Sequence, residues 1–353
     1  MDSAVMNTRF DGIKLVQTTD FFYPNIDDPY LMGKITCANV LSDLYAMGVT
    51  ECDNMLMLLG ISQNLQPEDR DIVVKMIING FNGQFTFVDL FSSHVTAALL
   101  TRENLKQLQL APPMINPSVS MTVLDLATEA GTMVTGGQTV KNPWLIVGGV
   151  ATSVVKESEL IMPINAVSGD VLILTKPLGT QVAVNANLYL LPHNKEKWER
   201  IKHVVNEDQV RESYDTATMS MARLNRVGAQ LMHKYGAHAA TDVTGFGLIG
   251  HANNLASNQT SAVSFEFHTL PLIKHMHAVN AIASFRLMEG RSAETSGGLL
   301  IAIPADKAQQ FVKEIEELDG WPAFVIGNVV EGDRTARILE NATIIEVEQH
   351  HLN

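Results

Sequence analysis

The chain has 353 residues, of which 46% are hydrophobic and 18% charged, and its formal net charge at pH 7 is -13. This length and composition allow a sizeable core and favour two domains over one. Nucleic-acid surfaces need clustered Lys and Arg, so the acidic balance argues against a nucleic-acid partner. No apolar stretch approaches the ~20 residues of a membrane span, and no charged-then-apolar leader opens the sequence. We therefore expect no membrane contact and a cytoplasmic location.

The first segments combine a strand pattern with a helix pattern. Residues 12–20 read as a strand that ends at Asp20, and residues 28–47 contain a predicted amphipathic helix. A carboxylate at the carboxyl end of an apolar strand points to where open α/β sheets bind ligands. Asn39 and Asp43 are four residues apart and share a helical face, so both could reach one ion. The spacing alone favours a solvated polar stripe instead.

A helix predicted from Pro67 is interrupted after Asn82. A segment of different character, residues 83–124, follows it. If that segment is removed, Asp125 follows Asn82 directly and the next apolar residues continue the same stripe at helical period, namely Leu126, Ala127 and Ala130. Structureless loops of this length are uncommon in compact domains. The segment is either a surface excursion or a gene-model artefact such as translated intron, and the artefact is the preferred explanation.

The pattern changes near residue 160, where a polar, proline-bearing connection precedes a new strand. We predict two domains, residues 1–160 and 161–345. The second contains predicted helices between residues 207 and 235, a strand at residues 299–303 and a closing strand at residues 324–330.

Three glycine-bearing motifs are candidates for ligand binding. In residues 239–247, a small-residue strand delivers Asp242 to a turn that precedes a helix, whose free N–H groups favour anions. Taken alone this signal is weak, because ordinary strand-to-helix turns also use glycine. Residues 136–139 could cradle phosphate oxygens or form a tight turn, and the turn is favoured in isolation. Residues 294–298 present the same two alternatives.

Several strings, in this order, resemble the animal-type selenophosphate synthetases (selenide, water dikinases). The resemblance covers nearly the whole chain outside residues 83–124. The strings are Thr18-Thr-Asp20 and the segments at residues 38–48, 53–58, 135–139, 174–180, 240–251 and 294–300. Other members of the aminoimidazole-ribonucleotide-synthetase-like superfamily share the architecture and scattered acidic positions but not these strings.

The resemblance implies a two-domain α/β (α+β) fold of the aminoimidazole-ribonucleotide-synthetase-like type. It also implies a homodimer whose amino-terminal strands form a shared barrel, with an ATP site under that interface. A heterodimer with a paralogue is the alternative assembly. The implied reaction converts ATP, selenide and water into selenophosphate, AMP and phosphate, which would supply selenium for selenocysteine.

The resemblance also assigns site residues by position. Hard oxygen ligands from separate elements suit Mg²⁺, and the positions that match the family's metal site are Asp2, Asp20, Asn39, Asp43 and Asp242. The nucleotide-binding positions implied are Thr19, Asp20, Thr135, Gly136, Gly137 and Thr139. Of the metal ligands, Asp2 matches least securely, because residues 3–11 depart from the family pattern.

No catalytic residue is assigned, because the family's nucleophile and essential Lys match positions upstream of Met1. The expectation is a chain that binds ATP without turning it over. Two alternatives to a dikinase remain open. One is a non-catalytic paralogue that binds nucleotide or a partner in a regulatory role, and the other is a different ATP-dependent enzyme of the same superfamily.

Overall fold

The structure is a computed structural model that describes residues 2–82 and 126–348. Its first sheet has five strands: β1 Ala4–Asn7, β2 Ile13–Phe22, β3 Asn54–Ser62, β4 Val134–Asn142 and β5 Ile146–Lys156. Their order across the sheet is β1-β2-β5-β3-β4, and all neighbours are antiparallel except β3 and β4. Asp20 lies inside β2, two residues before its end. The expectation that it points to the ligand-binding edge of an open α/β sheet therefore does not explain its position.

Three helices accompany this sheet: α1 Pro29–Ala46, α2 Pro67–Asn82 and the short α3 Leu126–Glu129. The start of α1 is fixed by Asp28, whose side chain accepts the N–H groups of Tyr30 and Leu31 at 2.8 and 3.0 Å. Pro29, which lacks an N–H, occupies the first helical turn.

The helix α1 is buried on most sides, and this corrects the predicted amphipathic helix. It packs between the sheet, α2 and elements of the second half of the chain. Contact with α2 is close, because a Cβ on Gly33 would lie 2.1 Å from the Ile77 carbonyl oxygen. Asn39 is 6% exposed, so the solvated-stripe interpretation is wrong. Packing on several sides, which periodicity cannot reveal, decides this burial.

The apolar stripe shared by α2 and α3 is present. Leu126, Ala127 and Ala130 are buried in the same core as Ile77 and Phe81. The predicted insertion, residues 83–124, lies outside the described residues.

The second sheet has six strands: β6 Asp170–Leu174, β7 Ala239–Asp242, β8 Val263–Ile273, β9 Leu299–Pro304, β10 Phe324–Glu331 and β11 Ala336–Val347. Their order is β11-β8-β10-β6-β9-β7, and only β11 and β8 run parallel. The sequence patterns miss β8. The predicted closing strand is β10, but β11 follows it and forms the sheet edge.

Seven helices belong to the second half: α4 Thr180–Tyr189, α5 Lys195–Ile201, α6 Glu207–Ala222, α7 Arg226–Tyr235, α8 Gly247–Ser257, α9 Met276–Ala283 and α10 Ala305–Asp319. Single 3₁₀ turns occur at Glu157–Glu159 and Pro192–Asn194. The mixed α and β composition agrees with the predicted fold class. Within the described ranges, none of the helices combines the length and hydrophobicity that a bilayer span requires.

Polar contacts join the two halves beside α1. Arg226, at the start of α7, donates to the Thr50 carbonyl oxygen at 3.0 Å and pairs with Glu51 at 2.5 Å. His233, in the last turn of the same helix, contacts the Gly48 carbonyl oxygen at 2.7 Å. These contacts hold the loop after α1 against α7 of the second half.

Candidate functional site

Four aspartates from distant parts of the chain meet where the two halves touch. Asp2 precedes β1, Asp20 lies in β2, Asp43 in α1, and Asp242 ends β7. Each accepts a hydrogen bond from a neighbouring polar side chain. Thr241 donates to Asp2 at 3.0 Å, Asn39 to Asp20 at 2.8 Å and Ser42 to Asp242 at 2.7 Å, and Thr18 donates to Asp43. The structure therefore brings together the carboxylates that the sequence predicts as metal ligands.

Burial and mutual repulsion oppose the ionisation of these carboxylates when no cation is bound. Burial, followed by repulsion from Asp242 and Asp20, raises the pKa of Asp43 well above its usual range. Burial and the carboxylate of Asp2 raise the pKa of Asp242 to about 7. Burial also raises the pKa values of Asp2 and Asp20. Like charges in a low-dielectric site resist joint ionisation, and a divalent cation removes that resistance.

The donor set fits a divalent cation. The buried Oδ2 atom of Asp2 has no hydrogen-bond partner within the described ranges. Ligand atoms of Asp2, Asp242 and His251 all lie within 4.8 Å of one another. Carboxylate oxygens are the ligands that Mg²⁺ takes in proteins.

His251 was not predicted from the sequence. Burial lowers its pKa to about 4, so the ring is neutral near pH 7. Its Nε2 accepts the N–H of Thr244 at 3.0 Å, which ties the start of α8 to the turn after Asp242. Sequence reasoning predicted a strand, a turn and a helix within residues 237–256, and the structure confirms all three at residues 239–257.

Asn39 is oriented by contacts on both sides of its amide. The nitrogen donates to Asp20, and the oxygen accepts the backbone N–H of Ser296 at 2.8 Å. Because a backbone N–H can only donate, this contact fixes which end of the amide is the oxygen. The geometry favours a role in orienting Asp20. A ligand role for Asn39 stays a prediction.

Apart from Asp20, which belongs to the cluster, the predicted nucleotide residues lie away from the carboxylates. Thr19 is exposed and, by the alternation of a strand, faces opposite to Asp20. The turn predicted at residues 136–139 is wrong, because Thr135, Gly136, Gly137 and Thr139 lie in the exposed edge strand β4.

Backbone register shows how far apart these groups are. Asp20 aligns with Gly149, Met57 and then Gly137 across the sheet, which is three strand spacings or roughly 14 Å. A Cβ on Gly137 would lie 1.9 Å from the Met57 carbonyl oxygen, so glycine allows this strand to pair. Nucleotide binding by β4 stays a prediction.

Several polar residues around the cluster were not predicted. Asn225 donates to Ser42 at 3.0 Å and to the Gly297 carbonyl oxygen at 2.8 Å. Lys176 is fully buried after β6. It lies two residues after β6, within the string at residues 174–180 that carries the family resemblance, but the sequence assigned it no role. None of the others is distinguishable from an ordinary surface polar residue in sequence alone.

Comparison with known proteins places the chain in a family. Residues 1–90 match the AIR synthase related protein N-terminal domain, and residues 167–340 match the C-terminal domain of the same description. Selenide, water dikinase 2 of Homo sapiens is 49% identical over 98% of this chain and 68% of the relative. Selenide, water dikinase of Dictyostelium discoideum is 48% identical over 98% of this chain and 86% of the relative. That of Trypanosoma brucei is 40% identical over 94% of this chain and 76% of the relative.

Solved structures share the fold at low sequence identity. AaThiL complexed with AMPPCP and TMP matches with a TM-score of 0.60 and 18% identity, over 99% of this chain and 89% of that chain. Hydrogenase maturation protein HypE in complex with ATP matches with a TM-score of 0.60 and 15% identity, over 95% and 86%. The structural likeness establishes the architecture, and the sequence identities establish that this chain belongs to the selenide, water dikinase (selenophosphate synthetase) family.

Proposed function

We propose that the chain catalyses ATP-dependent synthesis of selenophosphate, in which ATP, selenide and water give selenophosphate, AMP and phosphate. The relatives named selenide, water dikinase support this activity. The observation that carries the proposal is the convergence of Asp2, Asp20, Asp43 and Asp242 in one partly buried cluster at the meeting of the two halves. Ordinary surface acids would not raise one another's pKa values in this way.

Asp2, Asp20, Asp43 and Asp242 would hold Mg²⁺, and the ion, when bound, would neutralise the charge of the polyphosphate. The chain's own contribution is to preorganise these oxygens. Thr18 donates a hydrogen bond to Asp43, Asn39 donates to Asp20 and Ser42 donates to Asp242. Because these carboxylates are already oriented, little reorganisation is needed when the nucleotide binds. Thr19 and four residues of β4 are proposed to contact the nucleotide: Thr135, Gly136, Gly137 and Thr139.

We also propose a homodimer formed through the outer face of the first sheet. That face carries cross-strand apolar pairs, including Leu15 with Val154 and Val150 with Leu56. Phe21 and Val154 are 64% and 55% exposed. Contiguous exposed apolar surface of this kind is typical of protein interfaces. Sedimentation velocity should give a dimer for the native chain and a monomer for Val154→Asp; a native monomer would contradict the assembly.

The proposed domain division, residues 1–160 and 161–345, and the cytoplasmic location are separate proposals. Limited proteolysis tests the first and cell fractionation the second.

Phosphorus NMR of the chain with ATP, Mg²⁺ and selenide tests the proposed reaction. Selenide-dependent formation of selenophosphate, AMP and phosphate together would support the proposal, and it would contradict the expectation from the sequence that residues 1–353 bind ATP without turning it over. Asp43→Asn should reduce the rate by about 100-fold or more, because a group placed at the transferring charge is lost. ATP binding without any product would instead favour the non-catalytic paralogue, and ADP as the stable product would favour another ATP-dependent enzyme.

A further inference from the structure

Lys176 is a buried lysine that makes no ion pair with any carboxylate in the described parts of the chain, and burial lowers the pKa of its amine well below the usual range. Its side chain is 1% exposed. Its Nζ donates to two backbone carbonyl oxygens, that of Arg223 at 2.6 Å and that of Ser296 at 2.8 Å. Burying an ammonium is costly unless its hydrogen bonds are made. An apolar side chain of similar length would avoid that cost, so the contacts of Lys176 need an explanation.

One of those contacts leads directly to the carboxylate cluster. Lys176 holds the carbonyl of Ser296, and the N–H of the same residue donates to the Asn39 oxygen at 2.8 Å. The Asn39 nitrogen then donates to Asp20 at 2.8 Å. Lys176 is thus three hydrogen bonds away from a carboxylate of the cluster.

Ser296 acts in this path through its backbone. Its φ is 46°, in the left-handed region that costs energy for a residue with a Cβ. Its hydroxyl, by contrast, has no hydrogen-bond partner within the described ranges. Neighbouring backbone leaves this loop no room to move. A Cβ on Gly297 would lie 1.9 Å from the Val243 carbonyl oxygen, and a Cβ on Gly298 would lie 2.4 Å from the backbone nitrogen of Lys176.

We propose that Lys176 is a positioning residue, which fixes the Ser296 peptide so that Asn39 holds Asp20 in the orientation needed to bind a divalent cation. The inference rests on the proposed function, in that the carboxylate cluster is taken to be the cation site. It assigns a role to the loop at residues 294–298, which brings the second half of the chain into the site without supplying a ligand. Partners that orient metal ligands commonly affect metal affinity by 10- to 100-fold.

The direction of the change in cation affinity distinguishes a positioning role for Lys176 from a purely electrostatic one. If Lys176 acted only as a nearby positive charge, its removal would strengthen cation binding, because a repulsion is lost. If it positions Asn39 and Asp20, its removal weakens cation binding despite the lost repulsion. A purely structural role would lower the melting temperature and leave the cation affinity of the folded protein unchanged.

The test is Mn²⁺ binding to the full chain, measured by the electron paramagnetic resonance of free Mn²⁺. Lys176→Met should bind Mn²⁺ about tenfold more weakly than the native chain. Lys176→Gln, which can still donate to one carbonyl, should lose less. If Lys176→Met does not fold, Lys176→Gln decides by the same criteria. Tighter or unchanged binding in the folded variant overturns the inference.

Two further variants complete the experiment. Lys234→Met removes an exposed lysine that pairs with Glu314 at 2.6 Å, and it should leave Mn²⁺ binding unchanged. Asn39→Leu breaks the same series of hydrogen bonds at a point nearer the cluster. The double variant Lys176→Met with Asn39→Leu should therefore bind Mn²⁺ no more weakly than whichever single variant has the lower Mn²⁺ affinity. Additive losses would show that the two residues act independently, against the inference. Failure of the native chain to bind Mn²⁺ would contradict the proposed metal site itself, and the inference with it.

Discussion

Ser42 and Asp242 are 200 residues apart in the chain, and the Ser42 hydroxyl donates to the Asp242 carboxylate at 2.7 Å. Ser42 lies within α1 and Asp242 at the end of β7, so this hydrogen bond joins the two halves at the centre of the cluster. The same hydroxyl accepts from Asn225 at 3.0 Å. The site is therefore complete only when both halves are packed together.

Ser42→Ala removes this hydrogen bond between the two halves. We expect the free energy of unfolding to fall by about 1–3 kcal/mol, because Asp242 and Asn225 each lose a buried partner. Urea denaturation measures the change. Ser257→Ala is the control, since its exposed hydroxyl donates only to a carbonyl on its own helix, and it should change stability by less than about 0.5 kcal/mol. Equal changes in the free energy of unfolding for the two variants would show that the Ser42 hydroxyl contributes no more to stability than an exposed hydroxyl.

Asp43→Asn should separate stability from metal binding. Burial and repulsion disfavour the charged form of Asp43, so a neutral amide of the same shape should leave the melting temperature of the metal-free protein unchanged or higher. Mg²⁺-dependent ATP binding should weaken, because a carboxylate ligand is lost. Calorimetric titration and thermal unfolding measure the two effects. An unchanged affinity for ATP in the presence of Mg²⁺ would remove Asp43 from the site.

Stabilisation by Mg²⁺ should increase with pH. The pKa of Asp242 is raised to about 7, so the folded metal-free protein keeps a proton that the unfolded chain releases above about pH 4. Its contribution to stability is therefore lost as pH rises from about 4 through 7. Bound Mg²⁺ compensates for this loss, so the rise in melting temperature with Mg²⁺ should be larger near pH 8 than near pH 5.5. A pH-independent rise would contradict this cluster as the binding site.

Glu294, in the loop that also carries Ser296, gives a second pH dependence. Its carboxylate accepts the N–H groups of Gly179 and Thr180 at 2.7 and 2.9 Å, and the Thr180 hydroxyl also donates to it. Burial nevertheless raises the pKa of Glu294 to about 7 from its usual 4.5.

Because the folded pKa is raised, Glu294 stabilises the protein at low pH, and this contribution disappears as pH rises from about 4.5 through 7. The change is at most on the order of 3 kcal/mol. Glu294→Gln cannot titrate, so its stability relative to the native chain should improve between about pH 5 and pH 8. Denaturant titrations at both pH values provide the measurement, and a constant difference would disprove the raised pKa.

The contact between α1 and α2 leaves no space for a side chain at Gly33. Gly33→Ala should lower stability by about 1–3 kcal/mol or more, because the nearest atom is backbone, which cannot move aside as a flexible side chain can. Gly245→Ala is the matched control. A Cβ there would meet nothing within 4 Å, so thermal unfolding should be little changed. Equal melting temperatures for the native chain and Gly33→Ala would show that the helices can separate at no cost.

The sequence by itself determined several local elements and the identity of the clustered aspartates. Pro67 with the acidic residues after it marks the start of α2, and the small-residue strand before Asp242 is β7. The resemblance to a family supplied Asp20, Asp43 and Asp242, and the structure places them together. These features depend on neighbours in the chain or on matched strings, so one sequence is enough to find them.

Only the tertiary structure decided which polar residues are buried and which glycines form strands. Gly136 and Gly137 predict a turn when the local sequence is considered alone, but pairing with β3 makes them part of a strand. Asn39 has the helical spacing of a surface residue, yet contacts from the loop around Ser296 bury it. Lys176 looks like any lysine until two carbonyl oxygens from distant segments enclose it. In each case the deciding partner lies far away in sequence, and local pattern carries no information about it.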